Sequence, residues 1–277
     1  WRLFSGGFEM GNVWYNEPKT LDTAFDVMGD IILSTAAQQY GGFTVPEVDK
    51  ILAPYAKKSY DKYISEFMKY SDESWSGREE RAIEYALDKV RRDYDQGWQG
   101  IEYKLNTVGS SRGDYPFVTV TLGLGTEQFE KMCTISLLEV HQGGQGKAGH
   151  KKPVLFPKIV FLYDKEIHGP GKCCEDIFEA GVECSSKTMY PDWLSMSGAG
   201  YIPVCTGNTR RSSAMGCRAF LSPWYERGGM EPADENDTPV FVGRFNIGAV
   251  SLHLPMILQR PERRAEIFMR FWISIWK

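Results

Sequence analysis

From Pro18 onward the apolar residues recur with the 3.6-residue period of a helix. Leu21, Ala24, Phe25, Met28, Ile31 and Ile32 share one face and predict a helix to about Gln38, with Pro18 and Asp22 suited to its start. Gly41-Gly42 ends it, because glycine tolerates the left-handed closing conformation. Thr44 reads as the cap of a second helix with Pro46 near its first turn. Val48, Ile51, Leu52, Tyr55, Tyr63, Ile64 and Phe67 mark its buried side, and Pro54 in its interior predicts a kink or a split. A third helix follows over residues 78–94, with Ile83, Ala86, Leu87 and Val90 inward, and residues 97–108 continue helically after Gly97.

The period then drops to two. Val118, Val120 and Leu122 alternate with Thr119 and Thr121 as a strand ended by Gly123 and Gly125. Residues 126–140 are helical again. The glycine-rich, basic stretch 141–152 matches no phosphate-loop motif and reads as a flexible loop rather than a phosphate nest. Residues 154–163 are nearly all apolar, which suits a strand buried on both faces of a parallel sheet, and Pro157 predicts a bulge or a strand edge there. A helix over 176–187 is stopped by Met189-Tyr190-Pro191-Asp192. After a Gly/Pro/acid-rich excursion to Pro239, a last sheet segment runs over 240–254, and a final helix starts near Pro261-Glu262. Residues 1–16 show no clear period and read as loop or a strand remnant. Strands alternating with helices predict parallel βα units.

Composition narrows the class. The 277 residues, 42% hydrophobic and 13% aromatic, suffice for one large α/β domain with a sizeable core. The net charge of −4 argues against general nucleic-acid binding, which requires a basic field. Six cysteines at irregular spacing do not form a secreted disulfide framework, no apolar run reaches the length of a membrane span, and no charged-then-apolar leader opens the chain. The expectation is a cytoplasmic, reduced protein. A chain that opens on Trp1 and closes inside a helical pattern reads as a piece of a longer one.

Few residues offer chemistry. Cys173, Cys174, Cys184 and His168 lack the paired spacing with which two thiolates of one turn converge on zinc, so no metal site is expected among them. Cys217 stands alone in a polar approach (Asn208 to Ser213), with Gly216 turning the backbone just before its sulfur. From the residues alone it is a small core hydrophobe. It becomes a nucleophile only if folding brings His141, His150, His168 or His253 to it.

A resemblance adds a third chemistry. Met215-Gly216-Cys217-Arg218-Ala219-Phe220-Leu221 resembles the finger-loop motif of the anaerobic (class III) ribonucleoside-triphosphate reductases, and residues 242–255, Val-Gly-Arg-Phe-Asn-Ile-Gly-Ala-Val-Ser-Leu-His-Leu-Pro, resemble the strand after it. Gln39-Tyr40-Gly41-Gly42, residues 116–121, residues 156–160 and residues 182–192 agree in the same order, so the likeness covers most of the chain. It implies roughly the first half of a ten-stranded α/β barrel, with helices outside and a finger loop carrying Cys217 inside. All of 1–277 would be one partial catalytic domain.

The resemblance further implies that Cys217 becomes a thiyl radical that removes the 3′-hydrogen of a ribose. Asn246 would hold the ribose hydroxyls, and Met215, Gly216 and Arg218 would line the substrate's place. The reaction would reduce ribonucleoside triphosphates to deoxyribonucleotides with formate as reductant. The remaining parts of such an enzyme fall outside this chain: a second cysteine and an ATP-binding regulatory domain upstream, and a glycyl radical with a structural zinc site downstream. Partners would be nucleotide effectors, an S-adenosylmethionine-dependent iron–sulfur activating enzyme and a second copy of the subunit. Tyr55, Tyr60, Tyr63, Phe67 and Tyr70 predict an outward aromatic face for that copy. By itself the piece would be inactive, with the inner face of residues 154–163 uncovered.

Departures from the family pattern are Ala214 in place of a proline, Phe245 in place of an asparagine, and an extended loop over 228–239. A pyruvate formate-lyase relative is the alternative enzyme, but that subgroup carries two adjacent cysteines at the loop tip, where Cys217 has Gly216 and Arg218 as neighbours. A non-catalytic, nucleotide-binding split half is the alternative outside catalysis.

Overall fold

The structure is a computed structural model that describes residues 5–39, 41–109, 113–196, 224–229 and 231–240. The chain divides into two compact units, residues 1–246 and 247–277. The second unit, with the expected strand over 240–254 beyond Val240 and the expected last helix, lies outside the described residues.

A short antiparallel hairpin, β1 (Phe8–Met10) and β2 (Val13–Tyr15), opens the fold. Three helices follow: α1 (Leu21–Gln38), α2 (Val48–Tyr70) and α3 (Arg78–Thr107). α3 is continuous through Gly97 and about 45 Å long. It buries Ala82, Ala86, Val90, Tyr94, Trp98, Ile101 and Leu105, a stripe at i, i+3 and i, i+4 spacing. Phe25 of α1 meets that stripe edge-on, its ring 5.0 Å from Trp98 and 6.2 Å from Tyr94.

Gly97 makes this approach possible, because a Cβ there would lie only 2.2 to 2.5 Å from three atoms of the Phe25 ring. An alanine in a helix interior ordinarily gains about 1 kcal/mol over glycine. Here overpacking against a buried ring costs about 1–3 kcal/mol. Gly97→Ala is therefore expected to be neutral or destabilising, by up to about 2 kcal/mol. Urea denaturation of the variant checks this, and a gain of the full helix-propensity increment would contradict the packing.

The central sheet has four parallel strands in the order β3 (Phe43–Val45), β4 (Val118–Leu122), β5 (Lys158–Tyr163), β6 (Asp192–Ser195). Between them run α2 and α3, then α4 (Gln128–Gly143), then α5 (Lys165–His168) and α6 (Glu175–Thr188). Each crossover steps to the next strand in the same direction. Right-handed crossovers with no reversal of strand order carry all the helices to one face of the sheet. Val118, Val120, Leu122, Ile159 and Phe161 join the helices in one core. Alternation turns Thr44, Thr119, Thr121, Lys158, Val160, Leu162, Asp192 and Leu194 to the other face.

Several expectations change. β3 replaces what read as a helix cap at Thr44, while the stretch 189–192 does end the helix before it and leads directly into β6 at Asp192. Glu47, in the left-handed region at φ 44°, precedes α2 instead, and Thr44 lies within β3. Pro54 leaves α2 in one piece. The strand over 154–163 begins only at Lys158, after the Phe156–Pro157 bond, since proline gives no ladder hydrogen bond. Its second face is not bare, because Val160 and Leu162 are both buried within the chain.

The predicted aromatic outer face of α2 is turned largely inward. Tyr55 is buried, Tyr60 packs on Phe129, Tyr63 donates to Asp93 Oδ2 (2.8 Å), and Phe67 packs on Tyr85. Of the five, only Tyr70 is largely exposed.

The loop over 228–239 is organised rather than merely long. β7 (Trp224–Tyr225) and β8 (Pro239–Val240) pair antiparallel around it. Asp237 accepts from the backbone N–H groups of Arg227, Gly228 and Ala233, at 3.1, 2.8 and 2.9 Å, while Arg227 grips Asp234 with two nitrogens. Those backbone donors, Ala233 foremost, hold the Asp237 carboxyl below its ordinary range. Among the described residues no helix is long and apolar enough to cross a membrane.

Candidate functional site

In parallel α/β sheets the loops at the carboxyl ends of the strands carry the chemistry, because they converge on one rim while the helices are packed away behind. Here the loops after β3, β4 and β5 are tied to one another by buried side chains. Asp49, in the first turn of α2, is fully buried. Its Oδ2 accepts from Gly123 N (3.0 Å) and Gly125 N (3.1 Å), and its Oδ1 from Lys50 N (3.0 Å). Gly125 is required for this approach, since a Cβ there would meet Glu130 Cβ and lie 3.0 Å from Asp49 Oδ2. Thr121 Oγ1 accepts from Glu47 N at 2.8 Å and ties the end of β3 to β4.

His168, from the turn after β5, closes the network from the other side. Its Nδ1 lies 2.9 Å from Asp164 N and 3.0 Å from Asp164 O, and its Nε2 lies 2.7 Å from Gly123 O. Burial lowers the His168 pKa against the raising effect of those backbone bonds. Both ring nitrogens are engaged by backbone groups, so the ring serves here as a positioning group.

Burial likewise raises the Asp49 carboxyl to about 6, against the lowering effect of its three backbone donors and of Lys50. An unfolded aspartate titrates near 3.9. Between these values the folded chain binds more protons than the unfolded one. The contribution of Asp49 to stability is therefore full below about pH 4 and declines as pH rises through 6. Asp49→Asn is expected to remove that decline. Denaturation free energies of both proteins across this range check it, and equal slopes would refute it.

A second buried group lies at the far end of α3. Glu102 and His141 are both fully buried, with Oε1 and Nδ1 2.9 Å apart, and Gln145 Nε2 donates to Glu102 Oε2 at 2.5 Å. The stretch 141–152 is therefore not a flexible loop throughout. His141 belongs to the last turn of α4, and Gln145 and Lys152 exchange two backbone hydrogen bonds.

The cysteine and histidine candidates separate. Cys184 lies against Thr188 Oγ1, His168 is engaged at the rim, and Cys173 and Cys174 stand side by side. Among the described residues no group of three or more His, Cys, Asp or Glu side chains is placed to hold a metal ion. Met215, Gly216, Cys217, Arg218, Asn246 and His253 lie outside the described residues. What sequence reasoning missed is the rim itself. Its only trace was Asp49 at a helix start together with the Gly123-Leu124-Gly125 turn, residues 74 apart or more.

A family model described as anaerobic ribonucleoside-triphosphate reductase matches residues 1–273. The anaerobic ribonucleoside-triphosphate reductase of Enterobacteria phage T4 is 36% identical over 259 residues, covering 92% of this chain and 39% of that protein. The Haemophilus influenzae protein of the same name is 34% identical over 267 residues, covering 96% and 34%. The crystal structure of the Thermotoga maritima anaerobic ribonucleotide reductase with citrate in the active site aligns at 14% identity with a TM-score of 0.46, covering 67% of this chain and 32% of that one, too slight a likeness to bear on the fold. The chain thus spans little more than a third of the curated relatives it matches. With the family model matched over nearly its whole length, the chain belongs to the anaerobic ribonucleoside-triphosphate reductase family.

Proposed function

We propose that this chain is the central catalytic part of an enzyme that reduces ribonucleoside triphosphates to 2′-deoxyribonucleoside triphosphates. The observation that carries the reading is the family match over residues 1–273. The one-directional parallel sheet is compatible with part of the first half of a ten-stranded barrel, into which the Cys217 loop reaches.

In this reading Cys217 is the atom that touches substrate. As a thiyl radical its sulfur takes the 3′-hydrogen of the ribose and later returns it. Sulfur positioned about 3–3.5 Å from that carbon needs no neighbouring base for the step. Asn246 donates to and accepts from the ribose hydroxyls while the 2′-oxygen leaves as water. Met215, Gly216 and Arg218 shape the loop around the sugar. Formate supplies the two electrons and leaves as carbon dioxide. The glycyl radical supplies the unpaired electron when it is installed by the activating enzyme. That radical and the structural zinc are assigned to no residue of this chain. The complete enzyme works as a cytoplasmic homodimer that reads nucleotide effectors.

The test is anaerobic incubation of the complete polypeptide with activating enzyme, ribonucleoside triphosphate and formate. Formation of deoxyribonucleoside triphosphate with matching release of carbon dioxide from formate supports the assignment. Full activation without any deoxynucleotide would overturn it.

A further inference from the structure

Cys173 and Cys174 are adjacent in the chain, and their sulfurs lie 3.7 Å apart. Cys173 is exposed and Cys174 is buried. Both backbones are held: Lys131 Nζ donates to Cys173 O (2.7 Å) and Cys174 N donates to Ile167 O (2.9 Å). The Cys174 thiol points at the rim, where its Sγ donates to Gly125 O at 3.6 Å. Gly125 is the residue whose N–H is bound by Asp49. One thiol thus faces solvent, and its neighbour is a member of the buried network that shapes the loop after β4.

We propose that Cys173 and Cys174 form a reversible dithiol modification site, closed to a vicinal disulfide by small disulfides of the glutathione class, and that closure loosens the loop at Gly123–Gly125. The Cys173 thiolate attacks one sulfur of the small disulfide, whose S–S bond breaks and releases one small thiol. Cys174, giving up its proton, then attacks the Cys173 sulfur and displaces the second small thiol, which takes up a proton. Two protein thiols and one small disulfide become one protein disulfide and two small thiols. Burial pushes the Cys174 thiol up to about 12, with Cys173 beside it adding to the rise. Cys173 is therefore the entry point, and the second step quickens as pH rises. Adjacent Cα atoms, about 3.8 Å apart, are closer than the usual 4.4–6.8 Å of disulfides, so the closed ring is readily reopened by thiols. Closure converts the Cys174 thiol, which donates to Gly125 O, into a sulfur with no proton to give.

The experiment exposes the complete, reduced polypeptide to glutathione disulfide and follows it by alkylation and peptide mass mapping. Both thiols are expected to disappear together, without retained glutathione, and to return on treatment with dithiothreitol. Cys174→Ser should trap glutathione on Cys173, and Cys173→Ser should abolish modification. Phenylarsine oxide, a trivalent arsenical that bridges paired thiols, should bind the reduced protein. Its binding should fall at least tenfold in either variant and after oxidation. Hydrogen exchange at residues 123–125 should quicken at least tenfold on closure. A wild-type protein that stops at glutathionylated Cys173, or keeps both thiols free, overturns the dithiol site. Closure with unchanged exchange at 123–125 overturns its coupling to the rim.

Discussion

Cys217→Ser in the complete enzyme is expected to abolish nucleotide reduction while nucleotide binding persists. Serine keeps the size of the side chain, so in the proposed mechanism what is lost is the ability to hold and pass on a hydrogen atom. An O–H bond is stronger than an S–H bond by well over the ~5.5 kcal/mol that corresponds to four decades in rate. Turnover should therefore fall by at least about 10⁴-fold, to below detection. The measurement is deoxynucleotide formation by the activated variant, set beside equilibrium binding of the ribonucleotide. Substantial turnover by the serine enzyme would remove Cys217 from the mechanism. Loss of binding together with turnover would show instead that the substitution had disturbed the loop.

Residues 1–277 expressed alone are expected to form no deoxynucleotide, even with activating enzyme, nucleotide and formate present. The chain spans only 39% of the phage relative and 34% of the Haemophilus influenzae relative, and in the proposed reaction the unpaired electron comes from a residue outside it. Folding is a separate matter. Val160 and Leu162 on the second face of β5 are buried within the chain, which removes the reason to expect collapse of an uncovered sheet face. The described sheet still ends on β3 and β6, each paired on one side only among the described strands. Such edges present unpaired N–H and C=O groups and favour association between copies. Sedimentation of the purified chain, followed by the anaerobic assay, separates the two questions. A chain that made deoxynucleotide by itself would refute both the need for an outside radical and the mechanism built on it.

The long helices were legible in the sequence because their signal is local and repeated. α1 and α6 end within about two residues of where their apolar period places them. Of the residues expected inward on α3, Ala86 and Val90 are buried and Leu87 half-buried, whereas Ile83 is exposed because the buried stripe runs through Ala82 instead. β4 was legible for the same reason, and so was the motif around Cys217, a contiguous run of residues. β3 and β6 were not. Phe43–Val45 and Asp192–Ser195 are three and four residues long, too short for a period to show, and they become strands only because β4 and β5 offer them hydrogen bonds.

The rim depends even more on the tertiary structure. Asp49 meets Gly123 across 74 residues, and His168 meets it across 45. Glu102 finds His141 across 39. No local pattern encodes such partners, because each is a polar group made tolerable in the interior only by another brought from a distant element. The sequence by itself determined the long helices α1 to α4 and α6, the parallel α/β class and the family. The tertiary structure decided which buried carboxylate and imidazole hold the strand ends together, and which of two adjacent thiols faces the solvent.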